Sequence, residues 1–486
     1  QALGSRVFPH FCGVACHLLV TGLPWVAALA ALDCCPCMKR FVAHSVNFLA
    51  GKPKRSVGRK GISERALTQS ITAAKDLRTL LRLVETNVGN FNVVHCSAAF
   101  VALARLRPAE VQLAYESAAV QALQARVAEV LVEMEPRAIA NVTWALATCE
   151  RAAAAGHPEA RQRRFAGPEL LQALASQILL KLETFNSQDF SNCFWALAAL
   201  AHHPGEDFMR TASRGSEQRL QEFTPQNLAN VLWAFATLLF VPGEAFLNLA
   251  TTVARARIGD FKPQHLSNSL WALAKMEHRP GDPFLAASVR ESAWKLELFN
   301  PQNISNLLWA YSQMRYHPGY DLLEATVRRS RERVAGFTPQ NLTNAICAYA
   351  KYAYYPGVDY FQCVAHASEN QIQSFSTQDI ANTLWAYATL DHYPSKNFLR
   401  SASAETVAKI DGFRPHELTC CLWALATLKH DPNSIILTAL VHESKSKMDH
   451  FTPHDMVVSM WACVALGGWD QCIGKNCHGS FKKKKK

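Results

Sequence analysis

Across its 486 residues the chain has no glycine-rich phosphate loop, no cluster of ligands at metal-binding spacing and no motif that activates a serine or cysteine nucleophile. Nucleotide-dependent chemistry, metal-assisted hydrolysis and covalent catalysis therefore find no support, and neither catalysis nor any cofactor is expected. Paired cysteines are missing too. The 15 cysteines are scattered, and Cys193, Cys347, Cys420, Cys421 and Cys463 fall inside helical patterns. That suits small buried side chains in a reducing compartment, not a disulfide framework. The clusters Cys34, Cys35, Cys37 and Cys472, Cys477, His478 lack zinc spacing. The apolar stretch FCGVACHLLVTGLPWVAALAAL is broken by His17, Pro24 and glycines, which makes it a poor membrane span. Charge of one sign is scarce in the middle of the chain: of the net +11, residues 1–182 carry +9 and residues 467–486 carry +5, while 183–466 sum to −3. A near-neutral middle gives little footing for phosphates, although it permits one basic face.

What the chain does have is repetition. A phenylalanine opens a similar segment at Phe185, Phe223, Phe261, Phe299, Phe337, Phe375, Phe413 and Phe451, each step being 38 residues. Tryptophan follows at Trp195, Trp233, Trp271, Trp309, Trp385, Trp423 and Trp461, with Cys347 in the one slot that differs. Weaker copies begin at Met134 and Phe91, and the 51-residue step from Met134 to Phe185 places 13 extra residues within RAAAAGHPEARQRRFAGP. A fixed period in this range is the signature of a solenoid.

The unit FTPQNLANVLWAFATL shows what one copy is. Thr224 can cap a helix N-terminus and Pro225 suits the first helical position, where no N–H is needed. Leu228, Leu232 and Phe235 follow at helical spacing, and a turn such as HHPG, FVPG, HRPG or YHPG ends the segment. A second amphipathic run, EAFLNLATTVARARIGDF, completes a hairpin. One such hairpin buries too little apolar surface to fold alone, so the copies must cover one another. The expected fold is all-α: a right-handed α-solenoid of stacked helical hairpins with period 38, regular over 183–466 and degenerate over 64–182. In such an array the tryptophans are expected in the inter-repeat core, and His202, His203 and His317, which sit in the turns, are expected to cap helix ends.

The flanks read differently. From Met38 to Ser63 there are seven basic residues and no acidic one, the composition of an organelle transit segment. Residues 1–63 are thus expected to be a targeting leader or disordered. The destination is a mitochondrial matrix, or a plastid stroma if the apolar stretch upstream is part of the signal. Residues 467–486, ending in five lysines, read as a disordered basic tail.

The pattern F-x-P-Q-x-L-x-N-x-L-W-A-x-A at period 38 resembles the octatricopeptide repeat family. It is also similar to the helical arrays of FAST-kinase-like (RAP) proteins and of RNA-editing substrate-binding complex subunits. The resemblance implies an organellar RNA-binding protein acting in RNA processing, stability, editing or translation. Its implied partners are single-stranded RNA and ribonucleoprotein or ribosomal proteins, with no membrane association in the mature form. The alternative is a protein-binding scaffold in an organellar ribonucleoprotein or ribosome. The 20 residues after Leu466 are too few for the C-terminal RAP domain of many such proteins, so no nuclease chemistry is carried over.

Numbering each copy from its phenylalanine locates candidate contacts. Slot 8 is asparagine in seven copies (Asn141, Asn192, Asn230, Asn268, Asn306, Asn344, Asn382) and is expected to bond the adjacent repeat. Slot 5 varies while staying polar: Asp189, Asn227, His265, Asn303, Asn341, Asp379, Glu417 and Asp455. With slot 9 beside it and an alanine trough at slot 12, it could read one base per repeat over roughly eight to ten nucleotides. Equally, slot 5 is the third helical position, where acids and amides suit a helix terminus. Arg328 and Arg329, in VRRSRERVAG, form the internal basic patch, either a solvated helix face or a phosphate contact.

Overall fold

A capping side chain that accepts a hydrogen bond, a proline at the first helical position, or both, starts every first helix of the regular array. In the computed structural model, which describes residues 63–154, 164–430 and 434–467, these helices are Ser187–Ala199, Pro225–Thr237, Pro263–Lys275, Pro301–Gln313, Pro339–Lys351, Thr377–Thr389, Pro415–Thr427 and Pro453–Ala465. The second helices are Glu206–Arg219, Glu244–Ala256, Asp282–Trp294, Tyr320–Glu332, Val358–Glu369, Lys396–Ala408 and Ser434–Ser446. After each second helix comes a short 3-10 turn, such as Ile258–Asp260, which the sequence pattern did not reveal. No strand occurs among the described residues. The expected leader, the basic tail and most of the 13-residue insertion lie outside them.

Two layers result. First helices pack against first helices of neighbouring repeats, and second helices against second helices. The degenerate copies follow the same plan, with first helices Val93–Ala104 and Pro136–Ala154 and with Phe91 and Met134 fully buried. One more helix pair, Glu64–Ala73 and Leu77–Asn87, precedes them. All of these helices belong to one unit, Glu64–Lys486.

The core follows from the small and large slots of the motif. The slot-1 phenylalanines are buried, as is every slot-12 alanine of the regular copies, so neighbouring first helices meet closely over the alanines and leave no trough there. Slot 13 supplies the large core groups, among them Phe235, Tyr311, Tyr349 and Tyr387. Where that slot is tyrosine its hydroxyl is satisfied: Tyr311 pairs with Ser288 Oγ at 2.8 Å, and Tyr387 donates to the Phe361 carbonyl at 3.2 Å.

Basic residues of the second layer hold successive repeats together. Four positions before every regular phenylalanine except Phe337, a long side chain, basic in all but Gln371, reaches back to the backbone carbonyls around the preceding 3-10 turn. Arg219 donates to Phe185 O at 2.6 Å, Arg257 to Phe223 O at 2.8 Å and Gln371 to Phe337 O at 3.0 Å. Lys295, Lys409 and Lys447 each bridge two such carbonyls at 2.6–2.8 Å. Carbonyls near a helix end carry partial negative charge, so a cation suits them. These charges are therefore occupied within the fold.

Candidate functional site

The polar stripe expected at slot 5 is not open in the structure. Asn227, Asn303, Asn341, Glu417 and Asp455 are buried, while Asp189, His265 and Asp379 are half-buried. Their first task is helix capping. Thr224 Oγ1 accepts from Asn227 N at 3.2 Å, and Asn227 Oδ1 accepts in return from Thr224 N at 3.1 Å. Asn186 and Ser376 likewise accept from the backbone N–H groups of Asp189 and Asp379. Where the cap slot holds Lys262 or Arg414, the slot-5 side chain acts alone: His265 Nδ1 accepts from Lys262 N at 3.4 Å, and Glu417 from Arg414 N at 2.9 Å. Every residue found at slot 5 can accept a hydrogen bond, which is what the free N–H at slot 2 requires.

The variation at slot 5 also has an internal partner. Each of the three asparagines there faces a slot-7 serine of the preceding repeat. Asn227 Nδ2 donates to Ser191 Oγ at 2.8 Å, Asn303 to Ser267 at 3.0 Å and Asn341 to Ser305 at 3.4 Å. Where slot 5 is Asp, His or Glu, the corresponding earlier residue is Ala140, Ala229, Thr343, Ala381 or Thr419. The threonines there bond slot 9 instead, Thr343 to Thr383 at 3.0 Å and Thr419 to Ser459 at 3.1 Å. Slot 9 is buried throughout the regular copies. Slots 5, 7 and 9 thus form a polar seam between repeats. Truncating Asn303→Ala removes a back-cap and a buried inter-repeat bond and is expected to cost about 2 kcal/mol. A double-mutant cycle with Ser267→Ala, followed by urea melts, should show a coupling of about 1 kcal/mol. Strict additivity would dissolve the seam.

Arg329 does not point to a ligand either. It is buried, and its guanidinium donates to the Glu297 carbonyl and contacts the Glu297 and Glu332 carboxylates at 3.1 and 2.9 Å. Arg333, which occupies the usual carbonyl-bridging position, is exposed, and Arg329 takes up this contact from one turn earlier. Arg328 is exposed, but on the second-helix layer. Two of the three turn histidines meet the N-terminus of a second helix: His203 Nδ1 accepts from Gly205 N and His317 Nδ1 from Gly319 N, at 3.2 and 3.1 Å, whereas His202 Nε2 lies 3.2 Å from Gln172 Oε1 and caps no helix.

What the first-helix layer leaves exposed is a different set. Slots 4, 8, 11 and 15 share one helical face. Slot 4 carries the exposed Gln188, Gln226, Gln264, Gln302, Gln340 and Gln378, then His416 and His454. Slot 8 carries the half-buried Asn192, Asn230, Asn268, Asn306, Asn344 and Asn382. These twelve side-chain amides have no hydrogen-bond partner among the described residues. The expected bond from slot 8 to the adjacent repeat is absent from these six copies; of the seven asparagines Asn141 alone has one, to Ser97 Oγ of the preceding repeat at 3.4 Å.

The slot-11 tryptophans are not wholly core. Trp195, Trp233, Trp271, Trp309, Trp385 and Trp423 pack against the core yet stay half-exposed, and Trp461 is 50% exposed. Trp271 and Trp309, in adjacent repeats, have ring centroids 6.3 Å apart, and the Arg151 guanidinium lies 5.5 Å over Trp195. With its amide oxygen turned toward both donors, Gln313 accepts from Trp309 Nε1 at 3.2 Å and Lys351 Nζ at 2.8 Å. The regular copies therefore present a lane of amides and indole edges, with Lys275 and Lys351 at slot 15 as its lysines and no carboxylate. In sequence this face looked structural, because its residues repeat; the signal available was their amide and aromatic character on one face.

Among the described residues no group of three or more His, Cys, Asp or Glu is placed to hold a metal ion, and no helix is long and apolar enough to cross a membrane. A comparison with curated proteins gave no match. Two family models do match parts of the array. Residues 380–440 match the model described as FAST kinase-like protein, subdomain 1. Residues 140–293, which span the last degenerate and first regular repeats, are similar to the N-terminal domain of the Tbc2 translation factor.

Proposed function

We propose that the chain is an organellar RNA-binding helical-repeat protein of the octatricopeptide type, folded as a right-handed α-solenoid, with no catalysis of its own. One observation carries the reading: six successive first helices present unpartnered slot-4 and slot-8 amides on the same face as half-exposed indoles. Aromatic faces that stack bases and amides that meet their edges are the chemistry by which single-stranded RNA is held. Similarity to a translation-factor domain and to a FAST-kinase-like subdomain supports an RNA-related role in processing, stability, editing or translation. The basic, acid-free segment after Met38 supports a mitochondrial matrix, or else a plastid stroma. In this reading the slot-5 residues shape the lane from beneath, and Arg328 has no part in it.

The test is direct. Fluorescence anisotropy of a labelled single-stranded RNA pool should rise on titration with the full chain at low salt, and a flat titration refutes RNA binding. The second reading, a scaffold for a protein in an organellar ribonucleoprotein or ribosome, is favoured by the near absence of cations from the lane, since an uncharged partner needs none.

A further inference from the structure

We infer that the lane of slot-4 glutamines, slot-8 asparagines and slot-11 tryptophans grips an RNA strand without regard to base order, and with little dependence on salt. The inference rests on the RNA-binding reading above and specifies how that site recognises its ligand.

Repetition is the first ground. Over six consecutive first helices slot 4 is always glutamine and slot 8 always asparagine, while slot 11 is tryptophan in all but the Cys347 copy. Among the described residues the amides make no side-chain bond that would account for their sameness. A carboxamide both donates and accepts, so it can meet the edge of any base, and an indole stacks on any base. A row of identical groups cannot tell one base from another. It matches instead a ligand that offers the same features at every step, as the sugars and base faces of a single strand do.

Burial is the second ground. Slots 5 and 9 do vary from repeat to repeat, but slot 9 is buried throughout the regular copies, and the slot-5 side chains are buried or half-buried, most of them accepting from the slot-2 N–H and the asparagines also bonding slot 7. Variation that serves neighbouring repeats is not available to read a ligand.

Charge is the third. Slots 4, 8, 11 and 15 of the regular copies hold Lys275 and Lys351 and no other lysine or arginine. Most of the second-layer cations at the carbonyl-bridging position are already bonded there. Two phosphate contacts to a single strand give a slope of log affinity against log salt of about −1.4. Binding through stacking and amide bonds changes little as salt rises.

The experiment uses the full chain and three labelled RNAs of roughly 12 nucleotides, equal in composition and scrambled in order, titrated by anisotropy across a salt series. Affinities within about threefold of one another, with a slope shallower than about −2, support the inference. The combined variant Asn230→Ala, Asn268→Ala, Asn306→Ala and Asn344→Ala should weaken all three RNAs alike, by about tenfold or more, with its melting temperature unchanged. Should it melt early, Gln226→Glu, Gln264→Glu and Gln302→Glu together give the same readout from exposed positions. Their new charges should repel the strand by a similar factor, and unchanged affinity would overturn the inference. A preference of about thirtyfold for one order, or a slope steeper than about −4, overturns it while leaving RNA binding intact. No binding to any of the three sinks the RNA reading itself and leaves the lane to a protein partner.

Discussion

Phe235→Ala is expected to cost about 3–5 kcal/mol and to split the unfolding of the array into two transitions. Phe235 is fully buried, and its ring lies within 5.5–5.6 Å of those of Phe194, Phe240 and Phe246. It therefore joins its own hairpin to the preceding repeat. In a stack where each repeat touches only its neighbours, cooperativity is passed through such contacts one interface at a time. A cavity near the middle weakens one link, and the two sides should then melt separately. Urea titration followed by circular dichroism and by tryptophan fluorescence would resolve this. A single transition, coincident by both probes and shifted little from that of the unaltered chain, would show that Phe235 does not couple the repeats.

The largest stabilisation should come from the ends of the first helices. After each of the first seven regular ones the chain turns through a non-glycine residue with positive φ: Ala201, Leu239, Glu277, Arg315, Ala353, Asp391 and Lys429, with φ between 48° and 58°. The backbone bonds that close the helix require it. Phe240 N donates to Phe235 O and Tyr316 N to Tyr311 O, both at 3.0 Å, the long-range bond of the Schellman end. A Cβ in this region costs roughly 1–2 kcal/mol, partly offset by the greater chain entropy that glycine loses on folding. Each change to glycine should therefore gain about 0.5–1 kcal/mol. Ala201→Gly, Leu239→Gly, Arg315→Gly, Ala353→Gly and Lys429→Gly fall in separate repeats and should add, for a total of roughly 3 kcal/mol. A rise in the denaturation midpoint at unchanged m-value would bear this out. A net loss would mean that these side chains contribute contacts outweighing their backbone cost; the gain should be plainest at Leu239, which is 78% exposed and has little packing to lose.

Much of the architecture could be read from spacing. The cap residue, the proline after it, the apolar stripe and the PG turn each act within a few residues, so Thr224, Pro225 and Leu228 declare a helix start without help from the rest of the fold. Stacking follows because a hairpin of this size cannot satisfy its own apolar face. The 3-10 turn before each phenylalanine stayed hidden, since Ile258, Gly259 and Asp260 have no pattern of their own. So did the basic residues that bridge repeats, because Arg219 and Phe185 meet across 34 positions of sequence.

The candidate site was harder to place. Slots 5 and 8 lie three residues apart on one helix and both are polar, so periodicity alone cannot say which of them a neighbouring helix covers. Asn303 is buried against Ser267, whereas Asn306 is half-exposed and unpartnered. The amino-acid order on its own determined that hairpins of two helices recur and must cover one another, because caps, turns and apolar spacing are local. Which polar face is shut inside the seam and which is left facing solvent was decided only by the packing of one repeat on the next, since a slot is buried or open according to groups that lie a whole repeat away.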